Sequence, residues 1–266
     1  MHIKAKKRLG QNFLYDKNIL AKIAGALDII PSSSIVEIGA GTGLLTERLA
    51  AFGNKVFAFE LDKGLCKVLK EKFNGQRHVE IMQGDFLKAD FSRLFGAQFP
   101  VTVVGNIPYY ISSPIIERII RGAAGIRSSY VTVQKEFAER IAASAGTKAY
   151  GSFTCFVQYY AHAKILFDIS RGCFQPAPKV DSCLVRIIPK KEEELVLVDR
   201  DKLFISIRTA FGQRRKTLRN SLKELYTASD IEAFCREQNI SVNARPETLT
   251  LHDFIILTNY FSAKKS

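Results

Sequence analysis

Disulfide and zinc chemistry are the first things this sequence lacks. Its five cysteines (Cys66, Cys155, Cys173, Cys183 and Cys235) are odd in number, scattered, and include no C-x-x-C pair. That usage argues against a disulfide framework and a cysteine-held metal, suits a reducing compartment, and leaves the cysteines to packing. Also missing is any apolar stretch long and unbroken enough to cross a membrane as a helix. The basic start "MHIKAKKRLG" leads into no apolar signal core, so a cytoplasmic protein with no membrane attachment is expected. No internal repeats or low-complexity tracts stand out. Acids are in short supply: 26 Asp and Glu against 39 Lys and Arg leave a net charge of +13. Such an excess favours a polyanionic partner, nucleic acid ahead of an anionic membrane surface. A solvated basic surface is the plainer alternative.

The 266 residues, 47% of them hydrophobic, suffice for one large domain or a domain plus a smaller one. "DKNILAKIAGALDI" has helical apolar spacing with Asp16 as its N-cap. Short apolar runs then alternate with helical stretches. Strands are expected at Ile35–Ile38, Val56–Glu60, Val79–Met82, Val101–Gly105 and Tyr130–Val133, and helices at Leu44–Ala51 and Lys63–Lys72. Strands without polar alternation, separated by helices, indicate a parallel sheet covered on both faces. The fold class is therefore α/β, a doubly wound, Rossmann-like sheet that places ligands at the carboxyl ends of its strands. "DSCLVRIIP" reads as a last strand and "KKEEELVLVDRD" as a connector. The expected division is a catalytic domain over residues 1–190 and a small helical C-terminal domain over 191–266.

"IVEIGAGTGLL" sets Gly39, Gly41 and Gly43 directly after a strand and before a helix, where backbone N–H groups can approach a ligand. A dinucleotide fingerprint needs a glycine where Leu44 stands, which disfavours an NAD-dependent oxidoreductase. E-x-G-x-G-x-G is instead the pattern of S-adenosylmethionine-dependent methyltransferases, with an ordinary tight turn as the competing reading. Glu60 closes the second strand, where a carboxylate can accept from both ribose hydroxyls. Asp85 follows the third, placed to accept from an adenine amine. A single acid at a strand end is usually a solvated cap; a series in step with the glycine loop is a cofactor site.

"NIPY" (106–109) ends the fourth strand. The exocyclic amine of adenine is a poor nucleophile because its lone pair is delocalised into the ring. The Asn106 side-chain carbonyl and the Ile107 backbone carbonyl could accept both N–H groups and turn the lone pair toward an electrophile. Pro108 fixes its own φ and brings no competing N–H. Tyr109 offers a ring for stacking, worth roughly 1–3 kcal/mol per base. No general base is required, because methylation acidifies the amine and the proton can leave to water.

With this motif the chain resembles the amino-methyltransferases, and among them the ribosomal RNA adenine dimethyltransferase family. "KKRLGQNFL", "QKEFAERI" with "AYGSF", "FQPAPKVDS" and "AFGQRRKTLRNSLK" are similar to that family's other blocks, so the resemblance spans nearly the whole chain. It implies S-adenosylmethionine as cofactor, with Asn12, the backbone of Leu14, Gly39, Glu60, Asp85 and Asn106 around it. Phe174 is implied as a second aromatic beside the flipped base, against the reading of a core phenylalanine. Two positions depart from the pattern: Leu9 stands where the family usually has Phe, and Ser170 where a Pro often precedes the Phe174 loop. The last block favours the small-subunit enzyme, which dimethylates two adjacent adenosines near the 3′ end of that RNA.

Between positions 208 and 223, Arg208, Arg214, Arg215, Lys216, Arg219 and Lys223 occur without an acid. They are the expected phosphate contacts, and Lys4, Lys6, Lys7 and Arg8 are a second candidate anchor. A duplex shields its bases, so target adenosines must lie in a loop or be splayed out. The expected partner is small-subunit rRNA in an immature 30S particle, met by a monomer. The alternatives are a large-subunit or DNA adenine methyltransferase, and an assembly factor for which binding outweighs catalysis.

Overall fold

The computed structural model describes residues 5–6, 9–31, 33–91, 94, 100–122 and 125–264. Lys4, Lys7 and Arg8 of the candidate N-terminal anchor lie outside them. Among the described residues the strands run in chain order as β1 (Phe13–Leu14), β2 (Ser34–Ile38), β3 (Val56–Glu60), β4 (Val79–Gln83), β5 (Val101–Asn106), β6 (Ile126–Gln134), β7 (Ala161–Ile169), β8 (Phe174–Gln175) and β9 (Ser182–Pro189). Seven of them form one sheet of order β4-β3-β2-β5-β6-β9-β7. From β4 to β6 every pairing is parallel, and β9 is antiparallel to β6.

Each expected strand and helix of the first half is present within a few residues. The local reasons hold as well. α1 (Lys17–Gly25) begins at Asp16, whose Oδ1 accepts from the N–H groups of Asn18 and Ile19, both at 2.9 Å. α2 (Leu44–Ala50), α3 (Lys63–Lys72) and α4 (Ser112–Arg121) follow β2, β3 and β5. β2 and β3 are buried along their whole length, as strands covered on both faces must be. Full burial of side chains such as Ile35, Val56 and Val104 contributes roughly 1.5–3 kcal/mol each. Gly105 lets two backbones close up: a Cβ there would sit 2.7 Å from the Ile38 carbonyl oxygen. The strand order reverses between β2 and β5, so the crevice for ligands opens where Gly39 and Asn106 emerge.

The chain divides into two compact units, Met1–Ala138 with Ala163–Pro189, and Glu139–His162 with Lys190–Ser266. The expected boundary near residue 190 is one crossing point, but the stretch 139–162 departs from the expected division by joining the helical unit. Its residues Tyr150, Cys155 and Tyr159 are buried in one core with Leu203, Ile207, Phe234 and Phe254. That unit holds α6 (Ser152–Tyr160), α7 (Arg200–Gly212), α8 (Leu218–Ser221), α9 (Ala228–Glu237) and α10 (Leu251–Ala263); α5 (Lys135–Ile141) leads into it.

Candidate active site

At the switch point the sheet opens into a cavity. Its walls include Gly39, Gly41, Glu60, Asp85 and Asn106, with Ile107, Pro108 and Tyr109 beside them. These residues come from the ends of four strands, as their spacing required. Gly39, Gly41 and Gly43 have φ of 76°, 57° and 76°, the left-handed region that favours glycine. Their roles differ. A Cβ on Gly41 would approach the Phe13 ring to 3.1 Å, whereas one on Gly43 would strike buried Leu69 at 2.7 Å. Gly43 caps α2 and is absent from the cavity wall, so its task is packing.

Asn106 holds its amide in a defined sense. Nδ2 donates to the Asn12 carbonyl oxygen at 2.7 Å, and a carbonyl can only accept, so the NH₂ end is assigned by its partner. Oδ1 is thereby left as the acceptor of this side chain. Pro108 has φ −59°. Tyr109 fastens its hydroxyl to Ser182 Oγ at 2.8 Å, and burial raises its pKa, so the phenol is neutral at physiological pH.

The acids are unequal. Glu60 Oε2 accepts from the Gly41 N–H at 2.9 Å and Oε1 from the Asp62 N–H at 2.8 Å. Burial still raises its pKa against those bonds. Asp62 caps α3 and pairs with Lys6 at 2.5 Å, and that bond holds its carboxyl below the usual range. Asp85 Oδ1 accepts from Leu87 N–H at 3.0 Å, leaving Oδ2 available. Glu37, the first letter of the glycine motif, is 1% exposed and accepts from Thr46 Oγ1 at 2.6 Å. Burial chiefly, with the nearby Glu60 charge adding, lifts its pKa from 4.5 to about 7.

Because the folded chain favours protonated Glu37, its contribution to stability is whole below pH 4.5 and is lost as pH rises to about 7. Glu37→Gln, close in shape to the protonated acid, should flatten that slope and gain up to about 3 kcal/mol above pH 7. Urea unfolding of both proteins at pH 5 and pH 8 checks it; parallel pH dependences would refute it.

Two of the expected site residues have buried side chains. Leu14 and Phe174 pair across the β1–β8 ladder and are 6% and 1% exposed in one apolar cluster. Phe174 lines no part of the cavity, whereas Leu14, expected to serve through its backbone, borders an adjoining recess with Gly39, Gly41 and Asn106. Phe174 is the core phenylalanine of the plainer reading, drawn inward by a pairing between segments far apart in sequence. The wall also holds Phe13, with Gly10 and Gln11 from the same strap, and Phe59 and Leu61 from the end of β3, none of them expected. Adjacency to Asn12 was the available signal for Phe13.

The basic block also sorts itself. Arg219 pairs with Glu232 at 2.5 Å, a compensating acid that the local sequence hid. Arg214 Nη2 donates to the carbonyls of Lys148 and Tyr150 at 3.2 and 2.9 Å. Arg208, Arg215, Lys216 and Lys223 are exposed and have no side-chain partner among the described residues. Among the described residues no group of three or more His, Cys, Asp or Glu could hold a metal ion, and no helix is long and apolar enough to cross a membrane.

A sheet parallel from β4 to β6, with a glycine loop after β2, acids after β3 and β4 and Asn-Ile-Pro-Tyr after β5, defines an α/β, Rossmann-like methyltransferase. The model of the family described as ribosomal RNA adenine dimethylase matches residues 2–263. The chain is 40% identical, over 97% of its length and 90% of the relative's, to ribosomal RNA small subunit methyltransferase A of Levilactobacillus brevis. To the same-named protein of Aromatoleum aromaticum it is 41% identical, covering 98% and 96%. Among solved structures, a dimethyladenosine transferase from Plasmodium falciparum superposes with TM-score 0.78 at 28% identity, covering 95% of this chain and 98% of that one. The 23S rRNA methyltransferase ErmE gives 0.76 at 27%, covering 94% and 100%. The chain belongs to the ribosomal RNA adenine dimethylase family, whose members are S-adenosylmethionine-dependent enzymes.

Proposed function

We propose that this protein dimethylates N6 of two adjacent adenosines near the 3′ end of small-subunit rRNA, acting as a monomer on an immature 30S particle in the cytoplasm. The observation that carries the reading is the Asn106 amide, tethered through Nδ2 and so offering Oδ1 at the switch-point cavity. The cavity residues fit the cofactor. Left-handed Gly39 and Gly41 leave room for a close backbone approach. Glu60, a buried carboxylate in the cavity wall, has oxygens that can accept from donor groups of a ligand. When bound, S-adenosylmethionine supplies an electrophilic methyl group.

The chain's own contribution is positioning. Asn106 Oδ1 and the Ile107 carbonyl accept the amine hydrogens and Tyr109, its hydroxyl fixed on Ser182, stacks the base. Glu60 and Asp85 receive the ribose and adenine of the cofactor. Orientation of this kind can supply on the order of 7–11 kcal/mol of the barrier. The small-subunit substrate is supported by relatives of that name at 40–41% identity over nearly the whole chain. The likeness to a 23S enzyme at 27% keeps large-subunit rRNA as the comparison substrate. The test is to incubate the protein with labelled methyl donor and under-methylated 30S or 50S particles, then map the label. Two labelled adjacent adenosines in 30S are expected; label confined to 50S would refute the assignment.

Phosphate contact is proposed for the exposed, unpartnered cations of the basic block, with Arg214 and Arg219 engaged within their own unit. Arg215→Ala with Lys216→Ala should weaken 30S binding and reduce the slope of log K against log salt by about 1.4–1.8, the release expected from two phosphates. Arg219→Ala should leave the slope almost unchanged. Filter binding between 50 and 200 mM salt separates the two outcomes, and equal slopes for the double variant and the parent would remove these residues from the interface.

A further inference from the structure

Tyr110 is the most exposed aromatic among the described residues, at 61%, yet it lines the cavity beside half-buried Tyr109. An exposed aromatic ring in a cavity wall offers a face on which a planar group can stack. The ring is also held: a Cβ built on Gly10, at φ +60°, would lie 3.0 Å from its Cδ1 and Cε1. One side of Tyr110 therefore rests against the strap that lines the cavity, and no hydrogen bond fixes its hydroxyl among those described. Tyr109, in contrast, is anchored through its hydroxyl and half-buried.

We infer that Tyr110 is a specificity residue that stacks the nucleotide next to the target, so that consecutive tyrosines order consecutive adenosines. This rests on the proposed rRNA substrate. A base that leaves its duplex exposes both faces to water, and an aromatic platform offsets that loss with little preference for identity beyond stacking strength. With the neighbour held on Tyr110, the target enters the cavity with fewer orientations to sample. The same platform serves both transfers, because its stack engages the neighbouring base and not the N6 that changes.

The test uses the full-length protein and 30S particles reconstituted with the neighbouring adenosine either kept or replaced by uridine, a weaker stacker. On adenosine particles Tyr110→Ala should raise KM for the particle roughly tenfold, the scale of one lost base stack, with kcat and S-adenosylmethionine affinity unchanged. On uridine particles the same substitution should add little. Tyr110→Phe should match the parent on both. An equal KM penalty on the two particles overturns the inference, as does a matching loss of S-adenosylmethionine affinity, which would make the ring a support for the strap at Gly10. Failure of the parent protein to label either particle while it still binds S-adenosylmethionine would sink the substrate assignment itself, before any variant is compared.

Discussion

Asn106→Ala is expected to lower kcat by roughly 10²–10³ or more, the cost of removing one preorganised polar group from a reaction centre. Binding to 30S particles should stay within about twofold, because the proposed phosphate contacts lie in the other unit. The side chain works at both ends. In the proposed role Oδ1 accepts from the amine; Nδ2 donates to the Asn12 carbonyl at 2.7 Å and so secures the strap that bears Phe13 against Gly41. Asn106→Asp separates the two tasks: it keeps acceptors but sets a carboxylate oxygen against the Asn12 carbonyl, two acceptors without a hydrogen. That variant should retain more turnover than alanine while binding S-adenosylmethionine more weakly. Single-turnover methyl transfer at saturating donor, paired with calorimetric titration of the donor, distinguishes the ends. Full turnover by Asn106→Ala would end the lone-pair account.

The features legible in the sequence are those written in short windows. Period and composition located β2 to β6 and α1 to α3, and the strand ends then delivered Gly39, Glu60, Asp85 and Asn106 to one cavity. What stayed hidden depends on partners distant along the chain. Phe174 reads alike whether it faces a base or the core, and only the β1–β8 ladder decides; Tyr15, whose hydroxyl donates to Gly172 across 157 positions, belongs to the same closure. Arg219 looked uncompensated because Glu232 comes from a different helix. Residues 139–162 lacked a local boundary signal, since the core that claims Tyr150 and Tyr159 is completed by helices after position 199. Glu37 was in plain view as the motif's first acid, but its altered proton affinity arises from complete burial and the neighbouring Glu60.

Glu60 carries the second large expectation. Its carboxylate joins three parts of the site: Oε2 takes the Gly41 N–H of the glycine loop, Oε1 takes the Asp62 N–H, and Asp62 in turn caps α3 and holds Lys6 of the strap. Hydrogen bonds to a charged acceptor contribute about 1.5–3 kcal/mol each, and both ribose hydroxyls of the proposed cofactor compete for the same oxygens. Glu60→Ala should therefore weaken S-adenosylmethionine binding about 100-fold or more, whereas Glu60→Gln, which keeps one acceptor and turns an NH₂ toward a backbone N–H, should lose about tenfold. Global stability should fall far less than those bonds suggest, because the substitution also removes a carboxylate that burial disfavours. Calorimetric titration with the donor and urea unfolding, run on the same three proteins, read the two quantities separately. If Glu60→Ala binds the donor as the parent does, the ribose is held elsewhere; if it binds weakly only because the protein has unfolded, the urea curve will show it.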